Sequence, residues 1–220
     1  SHMARNCLVV NVDRCIGCYG CQVACKMENN VPLGVNWNSV LMVGPVGEYP
    51  DMVRYPLPVM CQQCENAPCI AACPTGASYR DEENGLVLID HETCIGCQTC
   101  IEACPYGAIY YNEGLDLPQK CTGCAHLVDA GELPHCVDVC PYGALRFGDE
   151  EDFAEEIAAA DGIIVAADKN VETARFDGKP VIFVPVSDGI HKAEELVKKA
   201  AEGSAPVYHH QGGAETVETA

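Results

Sequence analysis

Sixteen of the 17 cysteines in this 220-residue chain fall into four groups of four, and this repeat limits the fold more than any other feature. The groups are Cys15, Cys18, Cys21, Cys25 in CIGCYGCQVAC; Cys61, Cys64, Cys69, Cys73 in CQQCENAPCIAACP; Cys94, Cys97, Cys100, Cys104 in CIGCQTCIEACP; and Cys121, Cys124, Cys136, Cys140 in CTGCAHLVDAGELPHCVDVCP. Each begins Cys-x2-Cys and ends Cys-x3-Cys, with two, four, two and eleven residues between the halves. The fourth group alone would suit a zinc ion or two disulfides; the set of four argues against both. Disulfide frameworks belong to short exported chains. A tetrahedral zinc site is satisfied by two pairs and does not need three thiolates within seven residues. A cubane iron–sulfur cluster does: a Cys-x2-Cys-x2-Cys loop wraps three iron corners, and the fourth cysteine, running into Cys-Pro, ligates the other cluster of a pair. Proline follows groups two, three and four, whereas Lys26 takes its place after group one.

The flanks repeat as well. CPTGASY, CPYGAIY and CPYGALRF follow three of the groups, so that proline stops a short helix, glycine turns the chain and an apolar strand begins. CLVVNVD and GLVLID read as strands leading into groups one and three. The expected fold is α+β: the repeated strand, cluster loop, helix and turn resemble the bacterial two-cluster ferredoxin fold, doubled, the family resemblance given below implies that one such unit is inserted in the other, and a small C-terminal α/β lobe follows. The outer unit takes residues 4–60 and 105–148, the inner unit 61–104, the lobe 149–203, and a flexible tail 204–220.

The runs DRCIGCYGCQVACKMENNVPLGVNW, CQQCENAPC, GLVLID and KCTGCAHLVD resemble the iron–sulfur electron-transfer subunit of the dimethyl sulfoxide reductase family of molybdenum and tungsten enzymes, over roughly Arg5 to Gly148. That resemblance implies four [4Fe-4S] clusters with exchanged fourth ligands. The first would use Cys15, Cys18, Cys21 and Cys140; the second Cys61, Cys64, Cys69 and Cys104; the third Cys94, Cys97, Cys100 and Cys73; the fourth Cys121, Cys124, Cys136 and Cys25. Relatives that hold a three-iron cluster lack the cysteine equivalent to Cys97, which is present here. The implied partners are a large catalytic subunit with pterin-bound molybdenum or tungsten and, often, an integral-membrane quinone-reactive subunit. The chain itself is expected to have no catalytic site. A free-standing polyferredoxin, and a redox sensor whose clusters gate the C-terminal lobe, are the alternatives.

The rest of the sequence narrows the setting. A net charge of −19 counts against nucleic-acid binding and against adhesion to an anionic membrane. No run of eighteen apolar residues is present, and ARNCLVVNVDRC has neither an apolar signal core nor a twin arginine, so membrane insertion and an export signal of its own are not expected. The location implied is cytoplasmic, or extracytoplasmic as the passenger of a signal-bearing partner, in a membrane-associated complex. No Gly-x-Gly-x-x-Gly follows a strand and no Walker loop occurs, which leaves nucleotide and flavin sites without support. Cys7 reads as a small apolar residue on a strand, Trp37 as a packing anchor, and Tyr79, Tyr106, Tyr110 and Phe147 as water-excluding aromatics. His126 and His135 read as loop histidines, and Lys120 either as tuning the adjacent cluster or as fixing its loop. Past Gly148, EEDFAEEIAAAD and SDGIHKAEELVKKAAEG read as helices and GIIVAAD and PVIFVPV as strands. The run from Ile157 to Ala200 resembles the C-terminal half of the IIB domain of fructose-type sugar phosphotransferase systems, without the half that carries the phosphorylated cysteine.

Overall fold

The computed structural model describes residues 6–46, 49–64, 66–153, 155, 163–166, 177–184, 195, 199 and 203–209. The chain divides into two compact units, Ser1–Met42 with Tyr55–Ala154, and Val43–Arg54 with Glu155–Ala220. The first is a mixed assembly of short helices and two-stranded sheets, in which each cluster loop runs between a strand and a helix.

Its outermost sheet joins residues far apart in sequence. β1 (Asn6–Val10) runs antiparallel to β8 (Leu145–Asp149), with Asn6 opposite Asp149 and Val10 opposite Leu145. After β1 the chain makes group one and enters α1 (Gly20–Glu28). β2 (Ser39–Val46) and β3 (Val53–Val59) then pair with each other, a hairpin that the proline-rich and glycine-rich segment 43–58 gives no periodic signal for. Group two leads into α2 (Pro68–Ala71), whose first residue is a proline placed where its missing N–H leaves no helical bond unmade. β4 (Ser78–Arg80) and β5 (Val87–Ile89) pair antiparallel, group three opens α3 (Thr99–Ala103), and β6 (Ile109–Asn112) pairs antiparallel with β7 (Leu117–Lys120). Group four spans α4 (Ala125–Val128) and α5 (His135–Asp138).

Two apolar cores result, and cysteines pack beside aliphatic side chains in both. One gathers Cys21, Val40, Met60, Cys121, Cys136 and Leu145 with Leu8, Val10 and Trp37 packed around it. The other gathers Ala67, Cys69, Val87, Cys100 and Ile109.

Glu150–Phe153 forms a 3-10 turn on the first unit instead of opening a helix of the C-terminal lobe. Phe153 is the reason: it is buried, lies under the Arg146 guanidinium at 5.1 Å, and its ring edge abuts Gly148. The remainder of that expected helix lies outside the described residues. In the second unit β9 (Ile163–Ala166) and β10 (Val181–Val184) pair parallel, with Val181 opposite Ile163 and Val184 opposite Ala166. Glu195 and Lys199 are helical, the rest of the second expected helix again lying outside the described residues. Beyond residue 203, the Tyr208 N–H donates to Lys179 O at 2.8 Å and the Val181 N–H to Pro206 O at 3.0 Å, and Tyr208 stacks edge-on against Phe183. These bonds hold residues 206–208 against β10, where the sequence predicts a flexible tail.

Candidate metal centres

The first two cysteines of each group flank a residue in the left-handed backbone region. Gly17, Gly96 and Gly123 have φ of 67°, 68° and 65°, and Gln63 takes the same role in group two at 48°. Glycine is required at Gly96 for more than its angle, since a Cβ there would stand 2.7 Å from the Asp116 carbonyl oxygen. A second left-handed residue, Tyr19, Gln98 or Cys124, then starts the following helix without a side-chain cap; in groups one and three that helix carries the next thiols. The first-turn amides of these helices are thereby left to other acceptors.

The Cys-Pro ends have a complementary design. Glycines at φ 73°, 59° and 59° (Gly76, Gly107, Gly143) turn the chain back so that amides face the preceding sulfur. Ser78 N–H donates to Cys73 Sγ at 3.5 Å, Ala108 N–H to Cys104 Sγ at 3.4 Å and Ala144 N–H to Cys140 Sγ at 3.3 Å. Burial works against the Cys73 thiolate, but donors from Ser78, Thr75 and Ala77 outweigh it and bring that thiol down to about 7. Cys140 is lowered in the same way: burial raises it, and the amides of Leu145, Ala144, Tyr142 and Gly143 prevail.

Two cavities collect thiols from opposite ends of the chain. Cys15, Cys18, Cys21 and Cys140 line a cavity of about 390 Å³, with Ile16, Tyr19 and Tyr142 at its wall. Cys25, Cys121, Cys124 and Cys136 line another of about 320 Å³, closed by Trp37 and Met60. Electrostatics groups the remaining thiols. Burial raises Cys69 to about 11, Lys120 opposes the rise, and Cys61, Cys104 and Cys64 add to it. Burial likewise raises Cys100, with Cys94 and Cys73 the thiols that repel it. Cys97 is lowered by the Thr99 hydroxyl and amide, and the thiol opposing this is Cys73. Cys25 is pushed up to about 12 by burial and by Cys121 and Cys124, and Cys136 is raised by burial and by Cys121, Cys124 and Cys25.

This arrangement fits a cationic cluster better than a single ion. Among the described residues, no three His, Cys, Asp or Glu side chains come together closely enough to chelate one metal ion. Zinc would need its sulfurs about 2.3 Å from a common point; here they line the walls of a larger space. Thiols raised by burial and mutual repulsion become thiolates only when a metal supplies the opposing charge. Asn38 adds an independent sign. It is 2 % exposed, lines the cavity of Cys25 and Cys136, and its amide has no oxygen or nitrogen partner, facing only the Cys21 thiol. A buried amide left bare is costly, and the sulfurs of a cluster are acceptors of the kind its N–H lacks. Asn29 Nδ2, at 3.7 Å from Cys124 Sγ, is a second donor to this cavity.

The other residues singled out in the sequence have defined places. Cys7 is half-buried on β1 opposite Gly148 and lines neither cavity. Trp37 Nε1 donates to the Tyr110 hydroxyl at 2.7 Å, and Tyr110 in turn donates to Gln119 at 2.9 Å, which ties the connection after α1 to β6 and β7. His126 Nε2 and His135 Nδ1 both meet the Glu28 carboxylate, at 2.8 and 3.0 Å, and not a cluster sulfur. Glu28, which no motif marks, thus clamps both ends of the eleven-residue spacer to the end of α1. Lys120 is 2 % exposed and binds backbone carbonyls of Val87 and Cys121. Asn38 escaped the sequence reading because a lone asparagine in GVNWNSV carries no spacing signal.

Three family comparisons bear on these centres. A 4Fe-4S dicluster domain matches residues 52–150 and a 4Fe-4S binding domain residues 12–28, while residues 146–199 match the lactose/cellobiose-specific IIB subunit of the phosphotransferase system. The thiosulfate reductase electron transfer subunit PhsB of Salmonella typhi is 47% identical over 123 residues, covering 55% of this chain and 64% of that one. Protein NrfC of Escherichia coli is 42% identical over 121 residues, 54% of each chain. A tetrathionate reductase subunit of Salmonella typhimurium is 38% identical over 135 residues, 59% of this chain and 52% of that one. The chain therefore spans between half and two thirds of these relatives' lengths. A solved domain of fruA from Bacillus subtilis is 55% identical over a stretch covering 25% of this chain and 54% of that one, with a TM-score of 0.24. The cysteine-rich part of the chain matches 4Fe-4S domains, and the chain resembles the iron–sulfur electron-transfer subunits of the dimethyl sulfoxide reductase family.

Proposed function

We propose that this chain is a non-catalytic electron-transfer subunit that holds four [4Fe-4S] clusters in series, inside an anaerobic reductase complex. Cys15, Cys18, Cys21 and Cys140 hold the first cluster, and Cys121, Cys124, Cys136 and Cys25 its neighbour. Cys61, Cys64, Cys69 and Cys104 hold the next, and Cys94, Cys97, Cys100 and Cys73 the last. Each cluster so held takes up and gives back one electron. The protein supplies what the clusters cannot: thiols placed from two directions, amides aimed at sulfur, and apolar walls that keep water away.

The observation that carries this reading is the pair of cavities in which three thiols of one group meet the fourth thiol of another. A serial order is favoured by the charges between the groups. Cys25 and Cys136 both feel Cys21, which sets the two outer clusters beside each other, and Cys121 feels Cys61, which sets an outer cluster beside an inner one. The nested strand pairing, β1 with β8 around the β4–β5 and β6–β7 hairpins, favours an inner ferredoxin-like unit inserted in an outer one. By likeness to the thiosulfate and tetrathionate reductase subunits, the partner is a catalytic subunit with pterin-bound molybdenum or tungsten, and a membrane quinone-reactive subunit or a soluble donor stands at the other end. None of the described helices is long and apolar enough to cross a membrane.

Anaerobic purification from the native host, with metal analysis and mass spectrometry of what co-elutes, tests the proposal. Close to four clusters' worth of iron, about sixteen atoms per chain, together with molybdenum or tungsten in the co-eluting subunit is expected. The full iron content on a chain that elutes alone would leave a free-standing carrier in place of a subunit, and zinc instead of iron would overturn both.

A further inference from the structure

Lys120 is a buried cation without an anionic partner of the usual kind. It ends β7 and is 2 % exposed, and its ammonium donates to the carbonyl oxygens of Val87 and Cys121. Both acceptors are neutral, and among the described residues no carboxylate lies within ion-pair distance of it. An ammonium moved from water into such a place is costly unless opposing charge is at hand. The groups that answer it are thiols of two different sets. Val87, whose carbonyl Lys120 binds, packs in one core with Cys69, which stands with Cys61, Cys64 and Cys104, and Cys121, whose carbonyl it also binds, stands with Cys124, Cys136 and Cys25.

The same spot is the seam between these sets. Cys61 is the thiol that most strongly repels Cys121, and Cys61 packs against the core containing Cys121. Gln63, 6 % exposed, spans the seam beside Lys120: its Nε2 donates to Cys121 O at 3.2 Å and its Oε1 accepts from Val87 N–H at 2.7 Å. Lys120 and Gln63 together therefore occupy both polar backbone groups of Val87 and the carbonyl of Cys121. Two side chains clamping the same two residues would over-determine a purely structural link, and Gln63 already makes it without charge.

We infer that Lys120 is a fixed positive charge shared by the two clusters held on either side of this seam, and that it raises the reduction potential of both. Reduction adds one negative charge to a cluster, and a buried cation beside it favours the reduced form, with little screening by salt. The two clusters flanking Lys120 are thus easier to reduce than they would be without it. The inference rests on the ligand assignment proposed above.

The test uses the full chain, purified anaerobically with its clusters, and redox titration followed by EPR. Lys120→Met, at unchanged iron content, should lower two of the four potentials, each by at least a tenfold change in its reduction equilibrium, which is 59 mV for one electron. The other two should stay, and Lys120→Arg should restore the pair. Unchanged potentials, or an equal shift in all four, would overturn the inference while leaving the wild-type clusters, and so the ligand reading, intact. Should Lys120→Met lose iron, Lys120→Gln keeps a donor to the carbonyls and removes the charge. Loss of iron in both, with iron retained in Lys120→Arg, makes the ammonium a structural bond and also overturns it. A wild-type chain without iron would sink the ligand assignment itself.

Discussion

Group one departs from its siblings by carrying Lys26 where they carry proline, and the structure makes restoring the proline a sharp test. α3 ends at Ala103, with Cys104 already extended at φ −71°, ψ 116°, and α5 ends at Asp138, before Cys140. A proline after such a cysteine finds its preceding residue in the conformation it prefers. α1 instead continues past Cys25 to Glu28, so Lys26 is helical and Cys25 has helical neighbours on both sides. Its ammonium also closes the loop after the helix, donating to Pro32 O at 2.9 Å and Val35 O at 2.5 Å. Lys26→Pro removes a helical N–H and clashes with the preceding turn, which costs about 3 kcal/mol. Losing two charge-assisted bonds adds about 3 kcal/mol for buried groups, and about half of that here because the side chain is half-exposed. The sum, about 4.5 kcal/mol, is a large part of the stability of an ordinary domain. In guanidinium chloride it moves the unfolding midpoint down by on the order of 1 M, and Lys26→Met should move it by about a third as much. Because proline also drives Cys25 out of the helical region, the Lys26→Pro chain should lose iron, which Lys26→Met should keep. Anaerobic denaturation followed by circular dichroism and by the visible absorbance of the clusters reads both effects. A Lys26→Pro chain with wild-type midpoint and iron content would refute the reasoning.

Other substitutions address single elements of the site. Cys25→Ser should take iron from one cluster only, at most about a quarter of the total, and spare the set of Cys15, Cys18 and Cys21 beside it in sequence; iron analysis and EPR showing damage to that set would contradict the exchange of fourth ligands. Asn38→Leu should lower the potential of the cluster nearest Cys25 and Cys136, since it removes an N–H donor facing that cavity, and an unchanged titration curve would show that the amide never meets sulfur. Removal and reloading of iron should be coupled to protons. Cys25, Cys69 and Cys121 are raised to about 12, 11 and 11, so in the metal-free chain each is protonated at pH 7 and each must release its proton on ligation. Cluster assembly is therefore expected to strengthen as pH rises from 6 to 8, with acid released into a weakly buffered solution; a pH-independent yield would mean the thiols were already ionised.

Cysteine spacing carried most of what the sequence could say, because ligand chemistry leaves little freedom: three thiols around one cube need short fixed gaps, and the turns between them need glycine or another residue in the left-handed region. Gly17, Gly96 and Gly123 could be read in this way, whereas Gln63 at φ 48° could not, since only the fold reveals that group two makes the same turn without glycine. Local signals also failed where long-range contacts decide. Phe153 looks like the apolar face of a coming helix and instead packs against Arg146 and Gly148, which pulls the end of the first unit past the expected boundary. The spacer of group four looks like an insertion with two free histidines, but Glu28, about a hundred residues earlier, takes both of them. Lys120 is the most instructive case. Its place directly before Cys121 left two roles open, a fixed loop or a tuned cluster, because sequence gives adjacency along the chain and nothing about Cys69 or Gln63. The fold supplies those neighbours, and the presence of Gln63 on the same two backbone residues separates the roles: the loop is held without a charge, so the charge needs another reason to be buried there.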